Sequence, residues 1–179
     1  MQQILFRSIA VVAVAVSVAA LAGVYAQAQG IELSDKHRKH IQANCQTVRS
    51  TMSRLHANDG PTYVNRNQTY FSISDKLIAR FNGRLALSSY DMTQFARLAR
   101  DYNAALSNFR IVYGRYDDAM SRLVKLDCQK QPEQFYNAAA SARERRTELH
   151  EATAKINDMI QQYGQAVTLL SDQMKEGSL

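Results

Sequence analysis

The chain has 179 residues, of which 46% are hydrophobic, with two cysteines, two prolines and no tryptophan. That length fits one domain. The formal net charge is +6 at pH 7, and residues 29–90 hold most of the excess. Glycine-rich phosphate loops and the GxSxG and HExxH motifs do not occur, so the sequence excludes the nucleotide-binding, hydrolase and zinc-protease classes that those motifs define.

The first 28 residues have the pattern of an export signal. Residues 9–26 carry no charge and follow Arg7. The segment ends on Ala26-Gln27-Ala28, the small-residue pattern at which signal peptidase cleaves, so we predict a mature chain that begins at Gln29. A run of about 18 apolar residues also fits a short, uncleaved membrane anchor, which stays open as the alternative. Both interpretations export residues 29–179 as a single helical domain, either secreted or anchored outside the cytoplasm.

Export gives the two cysteines a predicted role. Cys45 and Cys128 are the only pair, and paired cysteines in an oxidising compartment usually form a disulfide. The alternative is two buried free thiols. Since neither a CxxC motif nor a Cys/His ligand spacing is present, we expect no metal site and no cofactor.

The first third of the mature chain predicts two helical stretches. Ser34 and Asp35 are suited to cap a helix start. Apolar residues then recur every three or four positions, at Ile41, Cys45, Val48, Met52 and Leu55. Gly60-Pro61 interrupts this stripe, and Pro61 is suited to the first turn of a second stretch over residues 62–87. The apolar positions of that second stretch are Tyr70, Ile73, Leu77, Phe81 and Leu85.

The most regular pattern follows a turn with capping residues at 88–91 and predicts a helix over residues 91–127. Its apolar grid steps by three and four without interruption: Met92, Phe95, Ala99, Tyr102, Leu106, Phe109, Tyr113, Tyr116, Met120 and Leu123. Such spacing places one side chain per turn on a single stripe, which a helix buries against partner helices. Four tyrosines lie on seam positions: Tyr102, Tyr113, Tyr116 and, in the next helix, Tyr163. They are expected to fill the core, and a binding face is the alternative.

A last helix is predicted over residues 132–175, with Pro132 at its first position and Glu133 in its first turn. One row of apolar residues recurs every seven positions: Phe135, Ala142, Leu149, Ile156, Tyr163 and Leu170. A second row contains Ala138, Ala152, Met159 and Ala166, and the face is widened by Ile160, Val167 and Met174. A wide face is typical of a helix that touches two partners.

The cysteines decide between two topologies for these helices. At about 1.5 Å per residue, Cys128 lies about 55 Å from the 88–91 turn. A reversal at Gly60-Pro61 would leave Cys45 only about 20–25 Å from that turn, whereas a kink would bring it level with Cys128. A disulfide therefore predicts an all-α, elongated, antiparallel three-arm bundle with a first arm (34–87) kinked at Gly60-Pro61. Free thiols would leave an up-down four-helix bundle.

Candidate binding residues form a basic stripe on the first arm. Lys76, Arg80 and Arg84 are spaced four residues apart, as on one face of a helix, and such a stripe suits a polyanion or an anionic membrane surface. Flanking aromatic platforms are missing, which makes nucleic acid an unfavoured partner. The competing interpretation is an ordinary solvated face.

The other polar groups indicate structural roles rather than metal binding or catalysis. His37 and His40 are one turn apart but are separated by Arg38 and Lys39, which indicates a basic helix start rather than a metal site. The carboxylates nearest to pairing are Asp117 with Asp118, and Glu144, Glu148 and Glu151 among arginines. Neither group suggests two acids converging in a dry cleft, so we predict no catalytic residue and no enzyme. Asn67-Gln68-Thr69 matches an N-glycosylation acceptor.

Several short runs resemble a group of known proteins. They are Val64-Asn65-Arg66-Asn67-Gln68-Thr69-Tyr70, Leu126-Asp127-Cys128, Pro132, Phe135-Tyr136 and the pair Arg143 and Arg146. Together they resemble small exported helical proteins of unassigned function from candidate phyla radiation (Saccharibacteria-like) bacteria. The resemblance implies an extracellular address and no catalytic activity, and it removes the glycan interpretation of Asn67.

The sequence favours an exported, non-enzymatic helical bundle that binds or scaffolds a protein or envelope partner, with no small-molecule substrate evident. Two alternatives remain: a protein that binds a polyanion or membrane surface through its basic first arm, and a periplasmic-type chaperone. Heptad seams also close between chains, so the sequence allows a monomer or a dimer.

Overall fold

The computed structural model describes residues 33–88 and 90–176. The predicted signal segment and the predicted mature start at Gln29 lie outside these residues. Five α-helices and one π-helical segment follow in order: α1 (Asp35–Ala43), α2 (Cys45–Ser72), the π-helical segment (Ile73–Ile78), α3 (Ala79–Leu85), α4 (Thr93–Lys125) and α5 (Pro132–Glu176). Within the described ranges there is no strand, and no helix is long and apolar enough to cross a membrane.

The helices form an all-α bundle of three arms, as predicted. The first arm runs from α1 through α3, α4 is the second arm and α5 is the third, and α4 packs against both of the others. Two predicted helix starts are confirmed. The Ser34 hydroxyl accepts a hydrogen bond from the backbone N–H of His37, and the Asp91 carboxylate accepts one from Thr93 at 2.9 Å. The backbone N–H of Thr93 also lowers the pKa of Asp91, since it stabilises the charged form.

The first arm continues past Gly60-Pro61, which confirms that the chain does not reverse there. The predicted interruption is wrong, because α2 is one helix from Cys45 to Ser72 with Pro61 inside it. A proline in a helix removes one backbone hydrogen bond and leaves the carbonyl four residues earlier without a donor. That carbonyl belongs to Ala57, an exposed residue, where water is available as a partner.

The first arm changes its helical register at the π-helical segment instead. Hydrogen bonds to the fifth preceding residue insert one extra residue into the turn, so the apolar face advances by one position. The predicted core position Leu77 is consequently wrong: its side chain is 62% exposed, while the neighbouring Ile78 is 3% exposed. The other predicted positions, Tyr70, Ile73, Phe81 and Leu85, are buried or half-buried.

All ten residues of the α4 grid are buried or half-buried, which confirms the seam. A second row, also spaced by seven residues, is buried beside it: Leu98, Ala105, Val112 and Ala119. The sequence analysis missed this row, although its spacing is visible in the sequence. Its burial follows from the position of α4 between two arms, which requires a wider apolar face than a two-helix seam.

The predicted rows of α5 are also buried or half-buried against α4, with Ile156 fully buried at its centre. Ile160 and Val167 widen the face as predicted, whereas Met174 is 46% exposed near the end of the helix.

One end of the bundle is closed by the predicted disulfide. Cys45 and Cys128 are both buried, and their Cα atoms are 5.5 Å apart. Beside it, the Arg38 guanidinium pairs with Glu133, which joins the first arm to the third. At the opposite end, Tyr163 of α5 packs against Phe81 and Phe95. The arms are thus fastened to one another at both ends.

Removing the disulfide should lower stability substantially. The bond closes a loop of 83 residues in sequence separation, for which loop-closure entropy gives about 4–5 kcal/mol. We expect Cys45→Ala/Cys128→Ala to lose several kcal/mol of unfolding free energy in urea. A reductant should lower the midpoint of the natural chain and leave that of the double variant unchanged. A loss below about 1 kcal/mol would contradict the prediction.

The register change at the π-helical segment predicts unequal effects at two adjacent positions. Ile78→Ala removes a buried side chain and should cost about 2–4 kcal/mol. Leu77→Ala removes an exposed one and should stay within about 0.5 kcal/mol of the natural chain. Urea unfolding of the two variants measures both values, and equal losses would show that the register does not change here.

Candidate functional site: the groove between the first and third arms

A groove lies between α2 and α5, with α4 as its floor. It contains two cavities. The first, which we call the aromatic cavity, has a volume of about 200 Å³. The second, the apolar cavity, lies nearer the disulfide and has a volume of about 140 Å³. Tyr116 and Arg146 line both cavities, so the two are neighbours in one continuous surface, hereafter the α2–α5 groove.

The groove exists because α2 and α5 both pack on α4, whereas the contacts that hold the first arm to α5 lie mainly at the two ends of the bundle. The aromatic cavity is lined by Asp59, Thr62, Tyr63, Arg66, Phe109, Tyr113, Tyr116, Arg146, Leu149, His150 and Thr153. The apolar cavity is lined by Met52, Leu55, Tyr116, Met120, Leu123, Ala139, Ala142, Arg143 and Arg146. Every arm therefore contributes to each cavity.

Stacked rings fix the α2 side of the aromatic cavity. The Tyr63 and Tyr113 rings are nearly parallel, with centroids 3.5 Å apart, and Phe109 is 5.4 Å from Tyr63. Packed against one another, these rings remove apolar surface from water. A Cβ atom at Gly60, one turn before Tyr63, would lie 3.9 Å from the Tyr113 hydroxyl, which is an ordinary contact distance.

A polar bridge crosses the groove between the two cavities. The Tyr116 hydroxyl donates a hydrogen bond to Oδ2 of Asp59, and the Arg146 guanidinium lies 4.0 Å from Oδ1 of the same carboxylate. Burial, together with the hydrogen bond to Asp59, raises the pKa of Tyr116, because both disfavour the phenolate. The phenol therefore stays protonated at neutral pH and remains a donor to Asp59.

The rim of the groove is cationic. Arg66 and Arg143 are exposed lining residues, and the Arg146 side chain is 42% exposed. Asp59 is the single carboxylate among the residues that line the two cavities, and Tyr116 already occupies one of its oxygens. The groove therefore offers guanidinium groups with spare hydrogen-bond donors, next to apolar and aromatic surfaces.

The predicted polyanion residues lie elsewhere. Lys76, Arg80 and Arg84 are exposed on the first arm, and none of them forms an ion pair within the described ranges. Lys76 belongs to the π-helical segment, whereas the two arginines belong to α3, so the register change interrupts the predicted one-turn spacing. Lys76 lines an open hollow on the outer face of the first arm, separate from the α2–α5 groove.

Several of the remaining polar candidates are engaged by other side chains. The Ser34 hydroxyl lies 3.0 Å from Nδ1 of His37, and in residues 33–88 and 90–176 no cluster of His, Cys, Asp and Glu is suited to hold a metal. Asp117 lies 2.8 Å from the His56 imidazole, which ties α2 to α4. Glu148 pairs with Arg145, and the Asn67 amide oxygen accepts a hydrogen bond from Arg110 at 2.7 Å.

Two seam tyrosines use their hydroxyls inside the core. Tyr102 is fully buried and donates to the backbone carbonyl of Tyr70 at 2.8 Å. Tyr163 donates to the Asn82 side chain at 2.5 Å, across the interface between α5 and α3. Burial raises the pKa of both phenols to about 12. The predicted core role of these tyrosines is confirmed, and each also fastens one arm to another.

Comparison with protein-family models, curated proteins and solved structures finds no match for this chain. The resemblance to candidate phyla radiation proteins therefore stays a prediction.

The sequence analysis missed the groove and its polar bridge. Asp59 and Arg146 are 87 positions apart, and each looks in isolation like a solvated helix residue. Only the shared floor of α4 brings them together.

Alkaline pH should destabilise the fold through Tyr102. In the native chain its pKa is about 12, against about 10 for an exposed phenol. The native state therefore keeps a proton that the unfolded chain releases. The resulting contribution to stability is complete below pH 10 and is lost as pH rises to 12, by up to about 2–3 kcal/mol.

Tyr102→Phe should flatten this part of the alkaline stability profile, measured by brief urea unfolding at each pH. It should also cost about 1 kcal/mol at pH 7, since the Tyr70 carbonyl loses its buried donor. Ultraviolet titration of the folded protein in which every tyrosine ionises near pH 10 would contradict the prediction.

Proposed function

We propose that this chain is an exported, non-enzymatic binding or scaffolding protein of the cell surface or envelope, and that the α2–α5 groove is its binding surface. The observation that carries the proposal is the groove itself: a concave surface to which all three arms contribute, with arginines beside apolar side chains. Pockets that combine apolar walls with a few polar groups are typical of binding sites.

Export is supported by two independent features. The uncharged run over residues 9–26 and the small residues before Gln29 have the pattern of a signal peptide. The Cys45–Cys128 disulfide is of the kind that forms and persists in oxidising compartments.

Binding is favoured over catalysis by the chemistry of the groove. General acid–base catalysis needs a donor and an acceptor placed on either side of a reacting group. The single carboxylate in the groove, Asp59, is instead engaged by Tyr116 and faced by Arg146. Arginines around a small concave surface suit recognition of an anionic partner.

A site-specific photo-crosslinker tests the groove as the binding surface. We expect a crosslinker at Thr62, which lines the aromatic cavity, to form one reproducible adduct in the producing cells. The same group at the exposed Asp118, on the far side of α4, is the matched control. Non-reducing mass spectrometry of the products also reports the mature start, expected at Gln29. Equal adducts from both positions, or none from Thr62, would overturn the assignment of the groove.

A second candidate function, binding to a polyanion or an anionic membrane surface, is favoured by the exposure of Lys76, Arg80 and Arg84 without ion-pair partners in the described parts of the chain. We expect retention on heparin that weakens as salt rises. Charge reversal of all three residues to Glu should abolish retention. Reversal of Arg115, Arg122 and Lys125 on α4 changes the net charge equally and should not. Identical loss in both variants would contradict a site on the first arm.

A further inference from the structure

The apolar cavity of the groove has a cationic mouth. Its walls are half-buried or buried apolar side chains, among them Met52, Leu55, Met120 and Leu123, together with the ring of Tyr116. The two charged residues that line it are Arg143 and Arg146, and both reach solvent. No acidic residue is among the lining residues. The cavity thus combines an apolar interior with two positive charges at its opening.

We propose that this cavity binds a monocarboxylate with an apolar body of about six carbon atoms, with the body among the Met and Leu side chains and the carboxylate on Arg143 and Arg146. This inference rests on the proposed function, because it takes the α2–α5 groove as the binding surface and names the ligand class.

The volume sets the size of the apolar body. The cavity measures about 140 Å³, and an apolar protein cavity of about 150 Å³ is known to hold a benzene molecule. A six-carbon body therefore fills the space, a two-carbon body leaves most of it empty, and a ten-carbon body must extend beyond it.

The charges set the head group. Arg146 has one carboxylate neighbour in the described chain, Asp59, at 4.0 Å, which is the long limit of an ion pair. Asp59 is itself committed to Tyr116. The Arg143 guanidinium has no hydrogen bond or ion pair to a described residue. A guanidinium binds a planar carboxylate through two parallel hydrogen bonds, so a ligand carboxylate gains contacts that Asp59 does not supply.

Titration calorimetry of the oxidised full-length mature chain with linear carboxylates from acetate to decanoate tests both arguments. We expect affinity to rise about fourfold with each added methylene until the body reaches about six carbons, and then to level off. Hexanol and hexylammonium have one more alkyl carbon than hexanoate but no negative charge, and they should bind at least tenfold more weakly than hexanoate. Affinity that is independent of chain length, or equal for hexylammonium, would overturn the proposal.

Methionine methyl groups locate the ligand without a substitution. Met52 and Met120 line the apolar cavity, whereas Met92 and Met159 belong to the separate core cluster at the other end of the bundle. In methyl NMR spectra, hexanoate should shift the signals of Met52 and Met120 and leave those of Met92 and Met159 in place. Equal shifts at all four would show that the acid binds elsewhere or loosens the fold.

Two pairs of variants separate the head-group contact from the chain contact. Arg143→Gln/Arg146→Gln should weaken hexanoate binding at least tenfold, whereas Arg122→Gln, on α4 outside the groove, should not change it. Ala139→Leu should fill the cavity and abolish the dependence on chain length, with the exposed Ala154→Leu as its control. If hexanoate fails to bind while the crosslinked adduct from Thr62 persists, the ligand class is wrong and the proposed binding surface stands.

Discussion

The structure depends on the burial of α4 between two partners. Its two apolar rows, the predicted grid and the row from Leu98 to Ala119, together form a face too wide for one neighbouring helix to cover. The first arm and α5 must therefore both lie against α4 to remove that face from water. Because the two outer arms share this floor, their relative position is decided by α4 more than by contacts between the arms themselves.

That arrangement explains where the groove lies. The contacts that join the first arm to α5 lie mainly at the ends of the bundle. The Cys45–Cys128 bond and the Arg38–Glu133 pair hold one end, and Tyr163 with Asn82 holds the other. Between these ends, among the described residues, Asp59 and Arg146 form the only ion pair between the first arm and α5. In the middle of the bundle, α2 and α5 therefore flank an open groove on α4, with arginines at its edge. The proposed binding function uses this groove.

The two irregularities of the first arm show how tertiary packing overrides local signals. Gly60-Pro61 is a strong local signal for a break, yet the helix continues, because α2 is held against α4 on both sides of it by His56 with Asp117 and by the stacked Tyr63. The register change at the π-helical segment carries no composition signal. It lets Ile78 rather than Leu77 be buried in the bundle.

The sequence by itself predicted the helices of the second and third arms, most of their buried positions and the disulfide that is consistent with the topology of the bundle. The helices follow from apolar patterns that repeat over many residues, and the disulfide follows from the presence of a single pair of cysteines. Neither requires knowledge of the side chains on the neighbouring helix. Three features were decided only by the tertiary structure. They are the continuity of α2, the burial of Ile78 in place of Leu77, and the contacts among Asp59, Tyr116 and Arg146. Each of these depends on which side chains of one arm face another, and that relation is set by the packing angle and register between helices, which no single helix encodes.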